Sequence, residues 1–147
     1  MANPITAIGL MSGTSMDGID VAMIRTDGEN TVQAMAFEAV DYDAAQRALL
    51  SEAMSLSSGL QERASRPGKL PAIEQEITRW HADAVDWFCD KHGVGRPGDI
   101  VVGFHGQTVL HRPEIGLTVQ LGDGQTLADK TGLKVVADMR ANDMAHG

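Results

Sequence analysis

The sequence predicts an α/β fold: a mixed sheet that opens with a three-stranded antiparallel meander and carries helices packed on it. Three observations point there. Apolar and β-branched segments separated by turn residues fill the first 42 positions, helical periods run from about residue 43 to residue 92, and short β-branched segments return from residue 100 onward.

Residues 5 to 11 and 19 to 26 are rich in Ile, Val, Met and Ala, and Asp17-Gly18 between them is a strong turn pair, which predicts two antiparallel strands. "TVQAMAFEAVDY", Thr31 to Tyr42, alternates Val32, Ala34 and Ala36 with more polar neighbours, and the preceding "DGEN" supplies a turn. The period then changes. Asp43 is the expected N-cap of a helix whose Ala45, Leu49, Ala53 and Leu56 fall on one face. "SSGLQERASRPGKLP" reads as a linker. A longer helix is expected from Ala72 to His92, with an apolar stripe of Ile73, Ile77, Trp80, Ala84, Trp87 and Phe88, ended by Gly93 at the start of "GVGRPGD". "IVVGFHG" fits a buried strand closed by a turn at Gly106. "TVLHRP" and "LTVQLGDG" follow as a pair of extended segments, then a short helix "GQTLADKTG" and a last strand "KVVADM".

Composition narrows the function. The chain has 147 residues, 43% hydrophobic and 22% charged, enough to bury one sizeable core. Its formal net charge is -8 and it has no basic run, which argues against a nucleic-acid partner. No apolar stretch approaches the roughly 20 residues that span a bilayer, and "MANPITAIG" lacks the pattern of a signal peptide. A cytoplasmic protein with no membrane partner is the expectation. Cys89 is the single cysteine, so no internal disulfide forms, and "CDKH" lacks the further ligands of a zinc site.

Four motifs carry chemistry. Ser12 to Gly18 crowds Gly, Ser, Thr and Asp between two strands, a setting that gathers backbone N–H groups and hydroxyls as phosphate sites do. It is neither a Walker A loop nor G-x-G-x-x-G, and a plain polar hairpin loop explains the same residues. Asp17 and Asp20 lie three apart, and either suits a hydrated Mg²⁺ beside a phosphate chain, although Asp before Gly is also simply a good turn former. "GFHGQTVLHRP" puts His105 and Gln107 on either side of Gly106 after an apolar strand, where ligands meet open α/β sheets. The spacing of His105 and His111 gives no metal motif. "VVADMRANDMAHG" sets Asp138, Arg140 and Asp143 after a strand, a donor and acceptor set for a polyhydroxyl ligand or a surface ion pair.

On "GLMSGTSMDGID", "GFHGQTVLHRP", "TVQLGDG" and "VVADMRANDMAHG", taken in that order and spacing, the chain resembles the anhydro-N-acetylmuramic acid kinases over essentially its whole length. The resemblance implies a ribonuclease H-like, actin-like ATPase lobe, the N-terminal one of two. It implies that "GTSMDGID" is the ATP phosphate loop, with Gly13, Thr14, Ser15, Met16, Asp17, Gly18, Ile19 and Asp20 at the nucleotide and Asp17 or Asp20 at Mg²⁺. His105, Gln107, Thr108, Asp138, Arg140 and Asp143 match positions expected around the sugar or the cleft floor. The implied reaction opens the 1,6-anhydro ring of a cell-wall sugar with water while O6 takes the γ-phosphoryl group of ATP.

The family pattern continues with a Gly-Gln-Gly-Ala-Pro segment and a later Asp-x-Gly-Pro-Gly motif that supplies the catalytic base. Neither is in these residues, so no catalytic residue is assigned within the chain. Three classes of function therefore stand: half of an enzyme, inactive alone; a standalone phosphate- or sugar-binding module; and a structural or interaction protein that kept the lobe. Its partners would be ATP, an amino sugar, and a second copy of the chain or the missing second lobe.

Overall fold

A computed structural model describes residues 3–96 and 98–147; Met1 and Ala2 of the N-terminal stretch, and Pro97 within "GVGRPGD", lie outside the described residues. The elements in order are β1 (Ile5–Ser12), β2 (Gly18–Thr26), β3 (Val32–Asp41), α1 (Ala44–Ser57), α2 (Leu70–His92), β4 (Ile100–Arg112), a 3₁₀ turn (Pro113–Ile115), β5 (Leu117–Leu121), α3 (Gly124–Thr131), β6 (Lys134–Ala137) and α4 (Met139–His146). The six strands form one mixed sheet in the order β3-β2-β1-β4-β5, with β6 also paired to β4.

The opening meander is antiparallel throughout, as expected. The β2–β3 turn is set by Asp27, whose carboxylate accepts the N–H groups of Glu29, Asn30 and Thr31 at 2.9–3.0 Å. Those three donors hold its pKa down to about 2. The centre of the sheet is parallel: β4 runs beside β1 on one side and β6 on the other, so all three end at the same edge. Such a crossover needs a long connection, and the two helices between β3 and β4 provide it.

β4 departs from expectation, because the strand does not stop at Gly106. It continues to Arg112, and its second half pairs antiparallel with β5. Leu10 faces Phe104 but Ser12 faces Gln107, so β4 has one residue more than β1 between these pairs, and the strand bulges. Gly106 takes a φ of +74° there, and a Cβ on it would stand 2.6 Å from the Leu121 carbonyl oxygen. The glycine thus lets the strand kink past β5 without ending it.

Both long helices form where the sequence signals them. Asp43 caps α1 by accepting the Gln46 N–H at 2.7 Å, while the Gln46 side chain accepts the Asp43 N–H at 2.8 Å. The buried row of α1 is Leu50, Ala53 and Ser57; Ala45 and Leu56, expected on that face, are exposed. The helix is rotated to place Leu50 against the core, and Ser57 turns its hydroxyl back onto the Ala53 carbonyl. In α2, Pro71 occupies the first turn and Gly93 ends the helix in the left-handed conformation. The stripe Ile73, Ile77, Trp80, Ala84 and Phe88 is buried as expected, but Trp87 is 43% exposed. Thr78, His81, Ala82, Val85 and Cys89 are buried as well, because α2 lies under the sheet, α1 and α3 together.

α1, α2 and α3 cover one face of the sheet, where Ile8, Leu10, Ile19, Val21, Val102 and Phe104 are buried. The opposite face carries the alternate residues and is largely open, with Met11, Met35 and Phe37 exposed. Among the described residues, no helix is long and apolar enough to cross a membrane.

Candidate functional site

β1 and β2 are joined by five residues, Gly13 to Asp17. The turn itself closes from Gly13 to Met16, whose N–H donates to the Gly13 carbonyl at 3.1 Å. Met16 has a φ of 57°, a left-handed conformation costly for a residue with a Cβ. Its thioether offsets that cost by packing against the core and accepting a weak bond from the Ser51 hydroxyl at 3.8 Å. Held this way, the turn leaves Thr14 and Ser15 exposed at its crest. A turn that closes on a left-handed residue is one of the backbone arrangements that receive anions.

Gly18 opens β2 where no side chain fits: a Cβ would lie 2.3 Å from the Val40 carbonyl oxygen. The tight approach brings β3 against the loop, and the Tyr42 N–H donates to the Asp17 carbonyl at 2.8 Å. Below the loop, Ser12 donates to Gln107 Oε1 at 2.5 Å and shares a 2.7 Å bond with the Tyr42 hydroxyl. The Gln107 amide nitrogen donates to the carbonyls of Gly13 at 3.3 Å and Thr108 at 3.2 Å. Burial pushes the Tyr42 phenol up to about 12, so it stays a neutral hydrogen-bonding group. Three side chains from β1, the β3–α1 junction and β4 therefore brace the loop from inside.

The anticipated residues separate into groups. Gln107 is 0% exposed and Thr108 is nearly buried, its hydroxyl accepting from the Gln120 amide at 3.2 Å. Asp17 and Asp20 are both exposed, one in the loop and one on β2 opposite Met11. Ile19 is buried and faces the helices. His105 is half-buried beside the bulge, and its Nδ1 lies 3.0 Å from the Gly106 carbonyl. A carbonyl only accepts, so Nδ1 carries the hydrogen and Nε2 is a bare acceptor, buried and with no partner. His81 repeats this beneath the sheet: Nδ1 donates to the Ile77 carbonyl at 2.7 Å and Nε2 is unpaired. Burial, with the neighbouring His105 adding to it, pulls the His81 imidazole down to about 4.

After β6 the chain goes directly into α4, a helix the sequence reading did not anticipate. Asp138 sits at its start in a left-handed conformation, paired with Arg63 at 3.0 Å in solvent. It lines a cavity of about 490 Å³ with Arg66, Glu74 and Gln120. Arg140 and Asp143 lie further along α4 and line a different hollow, beside Pro113 and Gly116. The fold therefore brings Gly13–Asp20 and His105–Thr108 together through Gln107, but it divides the C-terminal cluster.

Tyr42 was not among the anticipated residues, and Ser12, expected as the first residue of the loop, instead ends β1 with its side chain buried. The alternation Ile8, Leu10, Ser12 was a readable signal that Ser12 points inward; no local pattern marks Tyr42 as its partner. Among the described residues no group of three or more His, Cys, Asp or Glu is arranged to hold a metal. Mg²⁺ needs only one or two carboxylates beside a phosphate chain, and two exposed carboxylates at the loop are compatible with that.

The family model for anhydro-N-acetylmuramic acid kinase matches residues 5–147. Curated relatives bearing that name include one from Rhizobium etli, 58% identical over 97% of this chain and 38% of its own length. One from Agrobacterium fabrum is 54% identical over 97% of this chain and 38% of its own length. One from Brucella abortus is 53% identical over 96% of this chain and 38% of its own length. The chain thus spans well under half the length of these relatives.

Proposed function

The chain belongs to the anhydro-N-acetylmuramic acid kinase family, and from that membership we propose that it is the phosphate-loop lobe of such a kinase, acting on ATP and 1,6-anhydro-N-acetylmuramic acid in the cytoplasm. The observation that carries the reading is the braced turn Gly13–Asp17 at the end of a parallel strand, where α/β sheets receive ligands.

Thr14, Ser15 and the amides of the turn hold phosphate oxygens, and Asp17 or Asp20 holds the metal ion through its waters. When bound, Mg·ATP supplies the γ-phosphoryl group and neutralises its charge. Ser12, Tyr42 and Gln107 keep the turn rigid, so little reorganisation is needed when the charge arrives. The unpaired Nε2 of His105 offers an acceptor to a sugar hydroxyl, an orphaned buried group that a polyhydroxyl ligand would satisfy. Gln107 and Thr108 serve the sugar side indirectly, by shaping β4, since their own hydrogen bonds lie within the fold. Asp138, Arg140 and Asp143 extend the polar rim.

A base must take a proton from the attacking water, and no carboxylate among the described residues is both buried and free at the sheet edge. Asp138 is 70% exposed and paired with Arg63. We place the base, like the adenine site, in the part of family members that this chain does not match. Residues 1–147 incubated with Mg·ATP and 1,6-anhydro-N-acetylmuramic acid are expected to give no 6-phosphate by mass spectrometry. Product at the rate of a complete relative would overturn the lobe reading. In a complete relative, replacing the aspartates that align with Asp17 and Asp20 is expected to abolish Mg·ATP turnover with the fold retained; unchanged kcat/KM would reduce the loop to a plain turn.

A further inference from the structure

On the helix side of the sheet, a groove of about 560 Å³ runs between the end of β3, the first turn of α1 and the middle of α2. That volume lies within the range of small-molecule sites. Its apolar floor and wall are Trp80, 8% exposed, and the half-exposed Trp87, with the Tyr42 ring tilted against Trp80 at a centroid distance of 5.6 Å. Four carboxylates surround these rings, Asp41 and Asp43 on one side and Glu76 and Asp83 on the other. Among the lining residues Arg79 is the one cation, bonding Glu76 at 2.6 Å and Asp83 at 3.1 Å; at the margin Arg47 bonds the Tyr42 carbonyl, and Lys91, over Trp87, is paired with Glu38 at 2.8 Å. The groove therefore keeps a net negative charge beside exposed indole surface. The same indole already attracts a cation within the fold, since the Lys91 ammonium sits 4.9 Å from the centre of the Trp87 ring.

We propose that this groove is a second binding site, separate from the phosphate loop, for a small organic cation: an ammonium or guanidinium group carried on an apolar body. The aromatic walls bury the body, and the carboxylates with the indole face hold the charge. The same charge balance rejects phosphate-bearing ligands, so the nucleotide is not its occupant. Trp87 belongs to an otherwise apolar helical stripe yet is left uncovered, which is what a ligand wall requires.

The groove is not isolated from the loop. Tyr42, one of its walls, donates its N–H to Asp17 and shares a hydrogen bond with Ser12 through its hydroxyl. An occupant that orders Tyr42 therefore also steadies the base of the phosphate turn.

The chain has two tryptophans, and both line this groove, so its tryptophan emission reports on the site. The test titrates residues 1–147 with phenethylammonium, with 2-phenylethanol as the neutral analogue and 3-phenylpropanoate as the anionic one. Phenethylammonium is expected to give a saturable emission change, with affinity roughly fivefold or more above the neutral analogue, and the anion none. Asp41→Asn combined with Asp83→Asn, both at exposed positions, is expected to remove that preference while far-UV circular dichroism stays unchanged. Backbone amide shifts in a heteronuclear NMR titration are expected to move at Asp41–Gln46 and Glu76–Trp87, a readout that needs no variant. Equal response to cation and neutral analogue, a non-saturating change, or a preference that survives the double substitution would overturn the proposal.

Discussion

At the end of β1, Ser12, Tyr42 and Gln107 satisfy one another in the interior, while at the end of β6 Asp138 meets Arg63 in solvent and Arg140 and Asp143 lie elsewhere on α4. Both clusters follow parallel strands at the same edge of the sheet. They differ in what water can do for them. A buried polar group that loses its partner bears its full desolvation cost, whereas an exposed ion pair exchanges its partner for solvent at little cost. The first cluster is therefore part of the fold, and the second is free to change partners when a ligand comes.

The largest expected effect is on the interior side. Gln107→Ala leaves Ser12 with Tyr42 alone, takes the side-chain donor from the Gly13 and Thr108 carbonyls and opens space in a filled site, so chemical denaturation should show a loss of about 2–4 kcal/mol. A loss under about 1 kcal/mol would place Gln107 with the exposed cluster instead.

His81, buried beneath the same sheet, extends the comparison to pH. Its folded pKa, near 4, lies below the ordinary 6.5, so between those values the unfolded chain binds a proton that the fold refuses. Its contribution is fully present above pH 6.5 and is lost as the pH falls toward 4, on the order of 3 kcal/mol in all. Denaturation midpoints measured between pH 7 and 4 should fall accordingly, and His81→Leu should flatten that part of the profile. An unchanged slope in the variant would remove His81 as the cause.

Tyr42→Phe keeps the ring against Trp80 and removes one hydrogen bond to Ser12, for a smaller loss of about 1 kcal/mol. Asp138→Ala should change stability by no more than about 0.5 kcal/mol by thermal denaturation, and Arg140→Ala likewise. A larger effect from either would show that the C-terminal cluster is as much a part of the fold as the first.

The sequence by itself determined the strands and helices from β1 to β6 and their order, but not the continuous length of β4 or the helix α4. The "DGEN" turn, the Asp43 cap, the Gly93 stop and the period change near residue 43 are local signals, since each depends on groups within a few residues of one another. Asp17-Gly18, expected as the first turn, is not it: the chain turns at Gly13–Met16, and Gly18 already belongs to β2, packed against the Val40 carbonyl. The Gly- and Ser-rich loop was legible for the same reason, as was its family likeness. What only the tertiary structure decided was which polar residues are inside. Ser12 and Gln107 are 95 positions apart, and Gln107 is joined to the loop because β4 lies beside β1 and bulges at Gly106. The passage of β4 through that glycine depends on β5, which arrives later in the chain and pairs with its second half. The rotation of α1, which exposes Leu56 and buries Leu50, is likewise set by the sheet and by α2 and not by its own period. Burial is a property of the assembled neighbours, so a sequence can show that a residue is able to hydrogen-bond while the packing decides whether its partner is the protein or a ligand.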